Sequence, residues 1–308
     1  MTLKSQRSDF WLFGLITFAV CIGVPPGVSD AVAQDWLRPT DHRSARGLPF
    51  RGQEPEFDDA DEGRPFDDHI ETDRDSFTPS TRTVTVDRWI VESAYSFVDN
   101  RNSKETHSFP EVLLRYGLTE RLELRFGANY EVGGEGASVS GNSAGTDFES
   151  AGELVHESQL LYGAKLQLSE QVGWAPESSF IVQGHTPASG PDSATALTLG
   201  YVFGWEFPNE WKLDSAIRFG ADKEGDDRFE AWATSVVLRR SIGKRWNVHV
   251  EYFGRFTQNR ADNVASHFFS PGLHYLVTPN FEIGTRVGWG LNDDTPNFFN
   301  NTGVGLRF

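Results

Sequence analysis

From Trp89 onward the chain repeats one pattern, runs of about ten residues in which apolar positions alternate with polar or small ones. Phe281, Ile283, Thr285, Val287 and Trp289 alternate with Glu282, Gly284, Arg286, Gly288 and Gly290. This period of two belongs to a strand with one apolar and one polar face. After a loop at 291–297 it resumes, with Thr302, Val304, Leu306 and Phe308 opposite Gly303, Gly305 and Arg307. Trp89, Val91, Tyr95 and Phe97 share a face against Glu92 and Ser96, and Val112, Leu114, Tyr116 and Leu118 form a second such face. A third run sets Leu122, Leu124, Phe126 and Tyr130 against Glu123, Arg125 and Asn129. The pattern predicts strands near 88–98, 109–118, 121–131, 155–168, 179–186, 193–207, 211–221, 228–242, 245–257, 266–277, 281–290 and 298–308.

The pairs Leu118 and Leu122, Phe207 and Trp211, Ile242 and Trp246, and Val277 and Phe281 each flank three residues, so short hairpins join matched faces and fix the register. Between them lie longer polar loops at 99–107, 131–153, 186–192, 222–227, 258–265 and 291–297. The connection at 169–179 is long for the short side, and the pattern offers no reason for its length. Short turns at one end and long loops at the other predict an all-β fold, an antiparallel up-and-down transmembrane β-barrel of about 12 strands with both termini in the periplasm. A soluble barrel with an aromatic core is the competing reading, disfavoured because the charges fall on the opposite face.

Composition adds the ends of the chain. Lys4 and Arg7, an apolar run from Phe10 to Val24 and small residues ending at Ala33 form a signal peptide, 1–33, with cleavage expected before Gln34. The only cysteine, Cys21, leaves with it, which excludes disulfides, thiol nucleophiles and cysteine metal sites; Val20 before it is a poor match to a lipidation signal. The net charge of −16 argues against nucleic acid as a partner. Between Gln34 and Phe77 stand 13 acids and 6 bases without apolar periodicity, so 34–87 is expected to be an acidic flexible periplasmic leader, with a plug folded into the barrel as the alternative.

On the inward face the register places Glu92, Glu111, Glu123, Glu157, Glu206, Asp214, Glu251 and Glu282 with Arg115, Arg125, Lys165, Lys212, Arg218, Arg239, Arg255, Arg286 and Arg307. Arg115 and Glu123 fall on diagonal cross-strand positions. Such balanced charges either line a water-filled pore or cross the lumen and fill it. Trp89, Phe207, Trp211, Trp246, Phe281 and Phe308 fall on the outward face where a membrane-interface belt is expected.

Catalytic and metal chemistry find little support. His156 and Ser158 share an outward face with no orienting partner, and His185, His249, His267 and His274 lack metal-ligand spacing. Asp222, Glu224, Asp226, Asp227, Asp293 and Asp294 follow no calcium-loop spacing and read as solvated loop charges. The glycines at 133–145 follow no strand-to-helix turn and read as an outer loop. No catalytic residue, metal or cofactor is expected.

The stretch Ile70-Glu71-Thr72-Asp73-Arg74-Asp75-Ser76-Phe77-Thr78-Pro79-Ser80 resembles the opening motif of the meta-pathway phenol-degradation family of outer-membrane barrels, with Asp75 where that family's motif has proline. The resemblance continues through 89–97, Ser108-Phe109-Pro110-Glu111 and 114–125. A chain ending in an aromatic residue, Phe308, is also similar to the terminal strand read by the barrel-assembly machinery. The resemblance implies outer-membrane localisation and passive uptake of small solutes, aromatic compounds among them. A closed-lumen structural or adhesive barrel and a barrel enzyme remain as alternatives.

Overall fold

The computed structural model describes residues 69–308 apart from 102, 134–154, 191–193, 225–226 and 261–262. The signal peptide, Cys21 and the leader up to residue 68 fall outside the described residues.

Twelve strands follow one another: β1 (Trp89–Asp99), β2 (Thr106–Gly117), β3 (Leu122–Gly133), β4 (Val155–Ser169), β5 (Glu177–Ser189), β6 (Ala196–Phe207), β7 (Trp211–Glu224), β8 (Asp227–Ile242), β9 (Trp246–Gln258), β10 (Ala265–Thr278), β11 (Phe281–Gly290) and β12 (Phe298–Arg307). Each pairs antiparallel with its neighbours in sequence, and β1 closes on β12 from Ile90 opposite Arg307 to Asp99 opposite Phe298. Closure leaves no free strand edge, the condition for a sheet to cross a membrane. Every expected strand is present, with ends displaced by at most three residues. β2 begins earlier than expected and is irregular near its start. The register shifts between Ser108 and Val112, around Pro110, which lacks an amide for the ladder.

Burial alternates along the strands with a period of two, every second residue of β1 from Ile90 to Val98 and of β11 from Glu282 to Gly288 being buried and its neighbours half-buried or exposed. Thus Tyr95, Phe126, Tyr130, Leu160, Val250, Ile283 and Leu306 are exposed on the outside, while Glu92, Arg125, Lys165 and Glu251 are buried inside. An outward apolar face without a second protein layer suits lipid, and the polar face is left to the lumen.

The expectation of a flexible leader through residue 87 is corrected for residues 70–84, which lie inside the barrel. The segment enters at the short-turn end, where the Ile70 amide donates to the carbonyl of Pro279 (2.9 Å). It reaches an apex at Phe77 and Thr78, against Glu251 and Ser235 of β9 and β8, and returns to Val84, whose amide donates to Glu123 (3.0 Å). The sequence lacks an apolar stripe here because the segment is held through its backbone by wall charges. Irregular backbone persists at membrane depth only when protein satisfies its polar groups.

The long turn after β4 also acquires a role. Gln171 donates to the carbonyl of Glu206 (3.1 Å) and accepts its amide (2.7 Å), while Trp205 donates to the carbonyl of Trp174 (3.0 Å). Its extra residues reach across to the end of β6.

Candidate functional site

The lumen is organised around the inserted segment. Asp73 sits among three cations of the wall: Arg125, Lys165 at 2.7 Å and Arg115 at 3.5 Å. Arg125 and Lys165 meet its Oδ2, while Oδ1, facing Arg115, accepts the amide of Ser80 (2.9 Å), so one carboxylate ties the two legs of the segment together. Glu92 accepts the amides of Asp73 (3.0 Å) and Arg74 (2.9 Å), and Glu251 accepts those of Phe77 (2.9 Å) and Thr78 (2.7 Å). Carbonyls are met by the bases. Arg115 donates to Glu71 O (2.8 Å), Lys165 to Ser80 O (3.0 Å) and Arg82 O (3.1 Å), Arg239 to Thr78 O (3.2 Å), and Arg218 to Phe77 O. Glu282 accepts the Thr72 hydroxyl (2.9 Å), and Lys212 pairs with Glu71 (2.6 Å).

Burial raises the Glu71 carboxyl, but Lys212 and then Arg82 outweigh it and hold the group at about 2. Burial likewise opposes ionisation of Asp73, and Arg115, Lys165 and Arg125 overcome it to keep the carboxyl well below the usual range. Glu71 and Asp73 therefore face the wall as anions at neutral pH.

The wall charges also brace one another. Arg115 meets diagonal Glu123 through two bonds of 2.9 Å and Glu92 at 3.1 Å; Arg239 pairs with Asp214, and Arg286 with Glu251 at 3.2 Å. Glu111 accepts a bond from Asn301 (3.1 Å), Arg255 is buried in β9, and Glu206 pairs with Arg82 of the segment (2.7 Å). Arg307 sits lower, half-buried, donating to Asn280 (2.8 Å) in the last short turn. Glu157 lies on β4 with its side chain outside the described residues, as do His156 and the side chains of Asp222, Glu224 and Asp227.

The histidines separate by face. His249 and His274, on adjacent strands, stack inside at 5.1 Å with ring nitrogens 3.1 Å apart, and His185 is buried in β5. His267 instead meets the Tyr252 hydroxyl at 2.7 Å. Ser158 faces outward, against Ser189. On the outer surface at the short-turn end, Trp89 packs on Tyr116 and Trp246 on Tyr275, Phe207 pairs with Trp211, and Phe281 and Phe308 flank Leu306.

Sequence reasoning singled out the stretch 70–80 and named a plug as one alternative, but gave no lumen role to its individual residues and missed the glycines that admit them. On β12 a Cβ at Gly305 would lie 2.3 Å from Thr72 Cγ2, and one at Gly303 2.4 Å from the Arg74 guanidinium. Inward glycines on a strand whose outward positions are apolar were the available signal for a close-packed partner. Gly305→Val, compatible with a strand, is expected to leave the barrel formed and weaken docking of the segment by about 1–3 kcal/mol. Limited proteolysis of the folded, heat-modifiable protein checks this: cleavage within 70–84 should accelerate over wild type.

Against known proteins, the family described as Putative MetA-pathway of phenol degradation matches residues 72–308. No curated protein matches. Among solved structures, an outer membrane channel from Pseudomonas putida F1 is similar with a TM-score of 0.51 and 13% identity, covering 74% of this chain and 98% of that one. The β domain of the Bordetella autotransporter Brka gives a TM-score of 0.48 at 9% identity, over 73% of this chain and 100% of that one. At 13% identity the likeness to the Pseudomonas putida channel is one of fold alone, that of an outer-membrane barrel. The family match spans all twelve strands and most of the inserted segment, and the chain belongs to the family described as Putative MetA-pathway of phenol degradation.

Proposed function

We propose that this protein is an outer-membrane channel through which small solutes pass passively, with residues 70–84 setting how far the lumen is open. The observation that carries the reading is the way the segment is held. Its backbone is bound by buried carboxylates, guanidinium groups and one ammonium of a closed wall, all by non-covalent polar bonds that water can replace. Retraction leaves a passage lined by charges of both signs, which orient polar solutes as they cross. At the foot of the barrel, a cavity of about 680 Å³ already opens beside Arg82, Glu177 and Glu206, under the turns at 170–176 and 208–210.

The outward aromatics at the short-turn end fit headgroup depth, and short turns belong to the periplasmic side, from which the segment enters. Small aromatic compounds are the solute class that the family's name suggests. The segment's depth favours a second reading, a closed structural barrel whose lumen is permanently filled.

Single-channel recording of the refolded mature chain in planar bilayers separates the two. Discrete conductance steps are expected. Silence from a barrel shown to be folded by heat-modifiable migration, both whole and lacking 34–84, would leave the structural reading standing.

A further inference from the structure

The apex of the segment rests in a site with the character of a ligand pocket. The Phe77 ring stacks on Phe253 at 4.3 Å and 10°, and the Arg218 guanidinium lies over it at 4.2 Å. Phe268 extends the stack behind Phe253 at 4.6 Å and 13°. Phe253 and Phe268 are buried on inner faces where most of the neighbouring positions of their strands are polar, His249, Glu251, Arg255, Ser266, Ser270 and His274 among them. A ring held between an aromatic face and a cation gains from both contacts. Arg218 also donates to the carbonyl of Phe77, so one guanidinium reads a ring and an oxygen of the same residue.

We propose that this cage is the solute site of the channel and that Phe77 is its built-in competitor, standing in for a small aromatic carboxylate with its ring two carbons from the carboxylate. Ring, two saturated carbons and an oxygen-bearing carbon are what Phe77 presents to Phe253 and Arg218. An arylpropionate anion repeats that skeleton and replaces the neutral carbonyl by a carboxylate, a stronger acceptor for a guanidinium. Glu251, released from the apex amides, keeps Arg286 as its partner at 3.2 Å, so vacating the cage leaves no unpaired carboxylate in the wall. The two legs stay pinned through Asp73 and Glu92 while the apex yields. The proposal rests on the channel reading and names what that channel recognises.

A competitor tethered in the site lowers apparent affinity by the fraction of time the cage is free. The test is calorimetric titration of 3-phenylpropionate into the detergent-solubilised mature chain and into Phe77→Ala, each shown to be folded by heat-modifiable migration. Phe77→Ala is expected to bind roughly tenfold tighter than wild type, with 3-cyclohexylpropionate, equal in charge but lacking a π face, gaining less than about threefold. No gain for 3-phenylpropionate in the folded variant overturns the proposal. Equal gains for both acids overturn it too, since they reveal only an apolar hole. Should Phe77→Ala not fold, Phe77→Leu keeps the volume and is expected to tighten binding about threefold, with no gain again decisive. Binding is read without conduction, so a chain that conducts but fails this titration refutes the cage alone, while loss of conduction refutes the channel.

Discussion

Deleting residues 34–84 from a chain that begins at Gln34 is expected to raise single-channel conductance several-fold while the barrel still forms. The twelve ladders close without help from the segment, because each strand pairs only with its neighbours and β1 with β12. The inward charges lose their segment partners but meet water, and a hydrated charge carries no desolvation penalty. The segment also takes away Glu71, Asp73 and Asp75 against Arg74 and Arg82, so its loss makes the lumen less negative and moves the reversal potential toward anion preference. Step size and reversal potential in a salt gradient read both effects. A truncated, heat-modifiable barrel with wild-type step size would show that conduction does not run where the segment lies.

Asp73→Ala is expected to undock the segment with a single change. Its carboxylate faces Arg125, Lys165 and Arg115 and also accepts the Ser80 amide. Removing one partner from a buried ionic network leaves the others uncompensated and costs about 3–5 kcal/mol. That corresponds to roughly two to three and a half orders of magnitude in the docked population. The barrel should survive, since Glu123 still meets both Arg115 at 2.9 Å and Arg125 at 2.8 Å. Hydrogen exchange at the amides of 73–80 should rise toward free-chain rates while the strand amides stay protected, and conductance should approach that of the truncated chain. Asp73→Asn keeps the shape but neither the charge nor a second acceptor oxygen, and is expected to lie between. Protected amides in both variants would mean that Glu92 and Glu251 suffice to hold the segment.

Much of this molecule was legible before any tertiary structure. Alternation of period two is a local property, and a slip by one residue would turn every Leu and Glu to the wrong side. The sequence therefore determined the strands, their facing, the diagonal meeting of Arg115 with Glu123, and the gathering of the short turns at one end of the barrel. What fills the barrel was decided only by the tertiary structure. The segment's bonds join residues far apart in the chain, Thr72 to Glu282 across 210 positions and Phe77 to Glu251 across 174. They are made largely by backbone amides and carbonyls, which leave no mark on side-chain pattern. Residues 70–84 thus read as solvated leader by composition and became the centre of the lumen through a wall that exists only once twelve strands have closed.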